Sequence, residues 1–259
     1  MMLTFQTLIV ERLNEVCTVT LNRPDSNNCI NNVLIAELNS VLDECYESVR
    51  IVVLQGSEEY FCFGADFKEI QHGVEHDKSC VVNPEPLYDL WVKLCCGPFI
   101  SIAHVRGKVN AGGIGFVASC DIVISDEKAV FSLSEMLFDL VPACVMPFLV
   151  RRIGISKSNR MTLMTLPIDS ATALNWGLVD AVGSNSIELL RRHMLRLRRL
   201  SKQGITSYKS YVNGMDPTVS DLKQKAIDKN IEVFTNPRNI QNITRYVANG
   251  QFPWDANKV

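Results

Sequence analysis

At 259 residues, 47% of them hydrophobic, the chain is long enough to bury a sizeable core, and a globular enzyme-sized protein is expected. A net charge of −2 and a pI of about 6.1 exclude a global basic field, so we expect no nucleic-acid binding. The N-terminus lacks a basic region followed by a long apolar run, and no window approaches the roughly eighteen apolar residues that span a bilayer, so we expect no membrane association and a cytoplasmic location.

The first part of the chain alternates predicted strands with predicted helices. Strands are predicted at 17–24 and 50–56, each ending in a turn signal, and the apolar spacing at 33–45 predicts a helix between them. The polar stretch 71–86 is predicted to be a mobile loop. Further strands are predicted within 99–107 and 121–133, followed by helical spacing or stop signals at 146–154, 158–166 and 170–182.

Beyond residue 186 the pattern becomes purely helical. Helices are predicted at 186–202 and 219–234, and no strand-like alternation returns. The sequence therefore predicts an α/β fold in two parts, with a core at 1–186 and a helical C-terminal region at 187–259.

The cysteines indicate a reducing compartment. Nine are present, an odd number without C-x-x-C spacing, and most lie in apolar runs, as Cys17, Cys62 and Cys120 do. This pattern favours small buried side chains over a disulfide framework or a structural zinc site.

Two segments run from an apolar strand through small residues into a helix-like pattern, namely FCFGADFKEI at 61–70 and VRGKVNAGGIGFVASCDIVIS at 105–125. The first amides of a helix have no partner within it, and small residues let a ligand approach them closely. Two such turns facing each other would form an oxyanion hole for a carbonyl oxygen. The small residues concerned are Gly64, Ala65, Gly112 and Gly113.

The second segment also permits a different interpretation. Residues 112–118 contain G-x-G-x-x-A after a strand, and Glu135 lies near the distance expected of a ribose-binding acid, which is typical of a nicotinamide-dependent dehydrogenase. However, the motif lies mid-chain after at least two strand-helix units, and Glu135 does not end an obvious second strand. Close helix packing is a further explanation for these glycines.

Three possible metal ligands, His72, His76 and Cys80, share helical spacing. The residues between them are polar and Gly73 interrupts the segment, so a solvated loop is the favoured interpretation, and no metal site is predicted. G-x-S-x-G and G-x-x-x-x-G-K-[ST] motifs are absent from the sequence, which disfavours a serine hydrolase and a P-loop enzyme.

Glu135 is a single carboxylate among apolar residues in FSLSEMLF. Desolvation there would raise its pKa toward the range useful for proton transfer. A plainer interpretation is a helix N-terminal acid that follows Ser132 or Ser134.

The G-A-D turn at 64–66 and the glycine turn about forty residues later resemble those of the crotonase (enoyl-CoA hydratase/isomerase) superfamily. The resemblance implies a ββα spiral core at 1–186 and a helical C-terminal region that serves oligomerisation and covers the active site. It implies a homotrimer or a dimer of trimers. It also implies that the amides of Ala65 and Gly112 form the oxyanion hole and that Glu135 is the acid/base.

Hydratases of this superfamily usually hold a second, water-positioning glutamate three residues after the oxyanion glycine, where this chain has Gly115. Simple enoyl-CoA hydration is therefore not favoured. The chain resembles more closely the dehydratases of polyketide β-branching cassettes, in its runs EPLYDLW, HVRGKVNAGG, FSLSE, VPACVMPFLVRRIG and GQFPWD. That resemblance implies dehydration of 3-hydroxy-3-methylglutaryl-acyl carrier protein to the 3-methylglutaconyl product.

No cofactor is implied beyond the phosphopantetheine arm, on acyl carrier protein or CoA, that carries the substrate. In the predicted reaction Glu135 removes the C2 proton and returns it to the departing C3 hydroxyl, while the oxyanion hole stabilises the enolate. The distal carboxylate of the substrate needs a cation or an amide, for which Lys108 and Asn110 are candidates. Ordinary turn hydrogen bonding is the alternative for both. Asp66 and Gly113 are further predicted substrate contacts.

Two other functions stay open at this point. One glutamate and an oxyanion hole would also serve a CoA-thioester lyase, hydratase, isomerase or decarboxylase of the same superfamily. A catalytically silent homologue that only binds a carrier protein is the other, favoured by Gly115 and disfavoured by Glu135.

The segment RRHMLRLRRLSK concentrates positive charge on a slightly acidic chain. Acyl carrier proteins are typically acidic, so this basic segment is a candidate docking surface. The alternative is a solvated helix face from which Met194, Leu195 and Leu197 pack inward. Its charged members are Arg191, Arg192, Arg196, Arg198, Arg199 and Lys202.

Overall fold

The computed structural model describes residues 5–75 and 83–257. Its strands are β1 (Leu8–Leu13), β2 (Val16–Leu21), β3 (Ile51–Gln55), β4 (Tyr60–Cys62), β5 (Ile100–Val105), β6 (Lys108–Asn110), β7 (Ile122–Asp126), β8 (Val130–Ser132), β9 (Ile168–Asp169) and β10 (Ala181–Gly183). Its helices are α1 (Asn32–Ser48), α2 (Phe67–Glu75), α3 (Glu85–Cys96), α4 (Gly112–Ser119), α5 (Met146–Ile153), α6 (Ile155–Met164), α7 (Ser170–Trp176), α8 (Ser186–Leu197), α9 (Lys202–Met215), α10 (Thr218–Asp221), α11 (Lys223–Thr235) and α12 (Pro237–Asn249). Short 3-10 turns lie at Pro24–Ser26, Glu135–Phe138 and Pro253–Asn257.

The strands form two sheets joined by a repeated connection. The larger sheet has the order β1-β2-β3-β5-β7-β10 and the smaller one the order β4-β6-β8-β9. Pairing is antiparallel between β1 and β2 and between β8 and β9, and parallel elsewhere. Each of β3, β5 and β7 is followed by a short strand of the smaller sheet and then by a helical segment. This is a ββα spiral, and the predicted α/β fold with a helical C-terminal region is confirmed.

The central strands of the larger sheet are buried because helices cover both of its faces. Every residue of β5 is buried, and β3 is apolar up to its last residue. Continuous apolar runs are typical of parallel strands in this setting. The helix predicted at 33–45 is α1, and Asn31 caps it by accepting a hydrogen bond from the Leu34 amide.

Two local predictions differ in part from the structure. Within 71–86, α2 continues to Glu75 and α3 begins at Glu85, and residues 76–82 lie outside the described part of the chain. A polar composition suits the outer face of a surface helix as well as it suits a loop, so composition alone could not separate the two. The segment 219–234 is also two helices, because the chain turns at Leu222 between α10 and α11.

The C-terminal helices are anchored to the core by buried polar contacts as well as by apolar packing. Lys209 on α9 is only 5% exposed, and its Nζ lies 2.6 Å from Asp121 Oδ2 and 2.9 Å from the Phe99 carbonyl oxygen. Tyr88 on α3 donates to the Val219 carbonyl oxygen at 2.6 Å. A division into two domains at residue 186 stays a prediction.

The described residues also bear on the negative predictions. Every described cysteine is a free thiol, and no group of three or more potential metal ligands occurs among the described residues. No helix within 5–75 or 83–257 combines the length and apolar character needed to cross a membrane.

Candidate active site

The two glycine turns predicted from the sequence are in direct contact. Gly64 has φ +92°, a conformation that side chains rarely adopt. A Cβ atom placed there would lie 2.6 Å from Ala111 Cβ and 3.4 Å from the Gly112 nitrogen. Only glycine at this position lets the turn after β4 approach the N-terminus of α4 so closely.

The amides of Ala65 and Gly112 are available to a ligand. The Ile30 amide donates to the Gly64 carbonyl oxygen, and the Asp66 amide donates to the Ile30 carbonyl oxygen. The Ala65 amide, which lies between these two residues, takes no part in this pairing. Gly112 is the first residue of α4, so its amide has no acceptor within the helix. Neither amide has a hydrogen-bond partner among the described residues. Their roles as oxyanion donors stay predictions, which this arrangement supports.

The residue before the helix is held in an unusual backbone conformation. Ala111 has φ 51° and ψ −125° and donates its own amide to the Ser132 carbonyl oxygen at 3.1 Å. Residues other than glycine rarely adopt a positive φ, and such a conformation costs on the order of 1–3 kcal/mol. The strained backbone is therefore at Ala111, whose conformation sets the direction of the Gly112 amide that follows it.

Asp66 has partners inside the protein. Its Oδ2 lies 2.9 Å from Arg23 Nη2, and Arg23 also donates to the Cys29 carbonyl oxygen. Its Oδ1 accepts from the Lys68 and Glu69 amides at the start of α2. These contacts hold the turn that contains Ala65. The predicted contact of Asp66 with substrate stays a prediction.

Gly113 lies against the neighbouring strand. It is buried, and a Cβ atom there would overlap the Cys62 carbonyl oxygen of β4. This supports the close-packing interpretation of the glycine. Its predicted role in substrate binding stays a prediction.

Asn110 connects the oxyanion turn to the segment that contains the glutamate. Its Nδ2 donates to Ser134 Oγ at 2.8 Å, and its Oδ1 accepts from Ser132 Oγ at 2.8 Å. Both serines come from the chain that leaves β8, which pairs with β6 at Asn110. Because both ends of the Asn110 amide are engaged, its side chain acts here as a brace. Binding of the distal carboxylate by Asn110 stays a prediction.

Lys108 lies at the opposite end of β6 from the glycine turn. It is exposed, and its Nζ lies 5.5 Å from the centroid of the Tyr60 ring. This is an attractive cation–aromatic contact. Contact between Lys108 and a substrate carboxylate stays a prediction.

Glu135 is a buried, under-bonded carboxylate. It is 9% exposed, and its Oε2 is buried with no hydrogen-bond partner among the described residues. Desolvation raises the pKa of Glu135 to about 7, although the backbone amides of Glu135 and Ser134 oppose that rise. It is also the first residue of its 3-10 turn, so the plainer sequence interpretation holds for its backbone position. A carboxyl group with a pKa near neutrality can both accept and return a proton.

Trp91 is a neighbour of Gly115 that the sequence did not reveal. A Cβ atom on Gly115 would lie 2.6 Å from both Trp91 Cε2 and Cη2, so the indole occupies the space of any side chain at 115. The ring is 1% exposed, and its Nε1 has no hydrogen-bond partner among the described residues. The one signal in the sequence was Gly115 itself. Because a glycine has no side chain, another group must fill the space beside it.

An aromatic cluster of the C-terminal region covers this part of the core. Phe138 lies on the turn that begins with Glu135. The centroid of its ring is 5.3 Å from that of Phe67, 5.0 Å from that of Tyr246 and 5.7 Å from that of Phe252. Trp254 stacks on Phe252 at 4.6 Å. Aromatic side chains of α12 and the C-terminal tail thus pack against the 3-10 turn that begins with Glu135, which in turn contacts α2.

Comparison with known proteins identifies the family. A family model described as enoyl-CoA hydratase/isomerase matches residues 11–257. The bacillaene synthase dehydratase PksH of Bacillus subtilis is 52% identical over 255 residues, 98% of each chain. The crystal structure of PksH matches with a TM-score of 0.95, covering 96% of this chain and 100% of that one. The 2,3-dehydroadipyl-CoA hydratase of Escherichia coli is 31% identical over 70% of this chain and 71% of its own.

The chain belongs to the enoyl-CoA hydratase/isomerase family. It is an enzyme of the hydro-lyase class, and the dehydrogenase interpretation of the glycine motif is wrong. The glycines of 112–118 instead let α4 pack on β4 and on the Trp91 ring. The possible metal ligands considered from the sequence were His72, His76 and Cys80. Of these, His76 and Cys80 lie outside the described residues.

Proposed function

We propose that this crotonase-family enzyme dehydrates 3-hydroxy-3-methylglutaryl-acyl carrier protein to 3-methylglutaconyl-acyl carrier protein in polyketide β-branching. The observation that carries the proposal is the pairing of one buried carboxylate, Glu135, with a residue 115 whose side-chain space is filled by Trp91. One proton carrier suits a reaction that moves a single proton from C2 to the leaving oxygen. The 52% identity to a dehydratase of a polyketide synthase supports the same direction.

The chemistry follows from the charges and unpaired groups of the site. The C2 proton of a thioester becomes acidic when the carbonyl oxygen's growing negative charge is stabilised, here by the Ala65 and Gly112 amides. Glu135 takes that proton, and the C2–H electron pair forms the enolate. The pair then makes the C2=C3 bond as the C3–O bond breaks. The proton on Glu135 passes to the departing oxygen, which leaves as water.

The proposed partner is an acyl carrier protein, and the basic segment at the end of α8 is its proposed docking surface. Arg192, Arg196 and Arg199 are exposed and have no ion pair among the described residues. Lys202 is different, because its Nζ donates to the Val49 carbonyl oxygen at 2.8 Å. The alternative interpretation holds in part, because Met194 is buried and Leu197 packs against the core, whereas Leu195 is 54% exposed.

We also propose a homotrimer or a dimer of trimers. Large apolar side chains are exposed at the end of α6 and on α9, and exposed apolar side chains in such numbers support an interface between copies of the chain. Their exposed fractions are 71% for Leu163, 58% for Leu166, 70% for Tyr211 and 68% for Met215.

The test is direct. The enzyme is incubated with carrier protein loaded with 3-hydroxy-3-methylglutaryl-phosphopantetheine, and intact-protein mass spectrometry follows the loss of one water. Dehydration by the wild type and its absence with Glu135→Gln support the proposal. If the carrier-bound substrate is unchanged while an enoyl-CoA gains water, the enzyme is a hydratase. If no thioester reacts but the carrier still binds, the chain is a silent binding homologue.

A further inference from the structure

The Trp91 indole N–H is a buried donor that the fold leaves unused. The ring is packed on two sides, with centroids 5.9 Å from Phe116 and 5.7 Å from Phe148. Its Nε1 is buried and has no hydrogen-bond partner among the described residues. A buried unpaired donor destabilises a fold, so one that is retained calls for an explanation.

The position of the ring places this donor beside the first turn of α4. Gly115 lies one helical turn after Gly112, on the same face. Side chains on a helix tilt toward its N-terminus, so the Gly115 Cβ direction leads back toward the unpaired Gly112 amide. The Trp91 atoms found there include Cε2, to which Nε1 is bonded.

The segment that contains the buried carboxylate is linked to the strand just before the same turn. Glu135 follows Ser134, and Ser134 is hydrogen-bonded at 2.8 Å to Asn110, two residues before Gly112. Its Oε2 is the other unpartnered buried group of this region. The Trp91 donor therefore lies beside the helix that begins with the Gly112 amide, and the Glu135 acceptor lies on the segment that is hydrogen-bonded to the strand before that helix.

We propose that Trp91 is a catalytic residue whose indole N–H donates a hydrogen bond to the C3 oxygen of the substrate as that oxygen departs. This inference rests on the proposed function. Trp91 neither gives nor takes a proton in the step. The C3–O bond breaks, its electron pair goes to oxygen, and the proton that completes the water molecule comes from Glu135.

A neutral donor at this place lowers the barrier to breaking the C3–O bond. As that bond breaks, negative charge grows on oxygen, and a donor held in a water-poor pocket stabilises it.

The first experiment uses Trp91→Phe, which removes the donor and keeps an aromatic ring between Phe116 and Phe148. With the 3-hydroxy-3-methylglutaryl-pantetheine thioester in D₂O, we expect dehydration to fall about a hundredfold while exchange of the C2 proton continues. Trp176→Phe is the matched control, because Trp176 lies on α7 against Arg160 and outside the site. Equal activity of the two variants, or parallel loss of exchange and dehydration in folded Trp91→Phe, overturns the proposal.

The second experiment does not depend on turnover. The chain has three tryptophans, so ¹⁵N-indole labelling gives few signals, and Trp91→Phe assigns the one from residue 91. Binding of the same thioester to the Glu135→Gln variant should shift that signal downfield and leave the Trp176 signal in place. An unmoved Trp91 signal on saturation overturns the proposal. If the wild type dehydrates no 3-hydroxy-3-methylglutaryl thioester, the proposed function fails. The role of Trp91 is then tested separately, by whether 3-hydroxybutyryl-pantetheine shifts the Trp91 indole signal when it binds.

Discussion

Glu135 is the residue proposed to transfer the proton in both steps of the reaction. Burial raises its pKa to about 7, which places the titration of this carboxyl group at neutral pH. Removal of the C2 proton requires the ionised form. The local apolar sequence predicted the direction of this shift, and the buried position of Oε2 explains it.

We predict that Glu135→Gln lowers kcat for dehydration by at least about a hundredfold, because general acid–base catalysis contributes that much or more. In the wild type, kcat/KM should rise with pH through about 7, as the base form becomes populated. The measurement is a pH–rate profile with the pantetheine thioester. Retention of a tenth of the activity by a folded variant would contradict the acid/base role.

The same substitution should stabilise the protein at alkaline pH. The pKa of Glu135 is higher in the folded state than its ordinary value of 4.5, so the native state holds the proton more tightly. Stability therefore falls as pH rises from about 4.5 to 7, by on the order of 3 kcal/mol. Glu135→Gln removes this loss. Urea unfolding at pH 5 and pH 8 should show a gain for the variant that is larger at pH 8, and an equal change at both pH values would argue against it.

At the scale of elements, the brace between β6 and the chain leaving β8 fixes the distance from the oxyanion turn to the glutamate. We predict that Asn110→Ala lowers kcat more than it raises KM for the pantetheine thioester, since the two halves of the site lose their alignment. Loss of the hydrogen bonds should also cost about 1–2 kcal/mol of stability. Steady-state kinetics and chemical unfolding check both values. A rise in KM alone would instead indicate that Asn110 binds the distal carboxylate.

The end of α8 is the element on which carrier recognition is expected. We predict that the double variant Arg196→Glu/Arg199→Glu raises KM for carrier-bound substrate and weakens its dependence on salt, because it removes long-range attraction to an acidic partner. KM for the short pantetheine thioester should not change. The double variant Lys128→Glu/Lys225→Glu, at two exposed lysines outside α8, makes the same change in net charge and is the control. Equal effects on both substrates would mean that the arginines serve folding or assembly.

At the scale of the whole molecule, the C-terminal helices complete the site from a distance in sequence. Phe138, Tyr246 and Phe252 form one aromatic cluster, in which Phe138 follows Glu135 and also contacts Phe67, the residue after the G-A-D turn. The cluster joins residues more than a hundred positions apart. It therefore links the stability of the C-terminal region to the geometry of the site.

We predict that Tyr246→Ala destabilises the protein by about 3 kcal/mol, makes α12 susceptible to proteolysis and lowers kcat. Tyr208→Ala is the control, because Tyr208 is 67% exposed. Limited proteolysis with mass mapping and thermal unfolding are the measurements. If Tyr246→Ala changes neither protease sensitivity nor kcat, the aromatic cluster is not a functional cover.

The sequence alone determined the features that depend on neighbouring residues. Small residues at 64 and 65, a helix start at Gly112 with unpaired amides and an acid among apolar residues at 135 are local properties, and together with the family resemblance they predicted the ββα fold and the candidate site. The tertiary structure decided which distant groups meet. It put Trp91 into the space beside Gly115, joined Asn110 to Ser134, and gave Asp66 its partner in Arg23. Contacts of this kind follow from packing across the two sheets, and no periodicity or spacing along the chain encodes them.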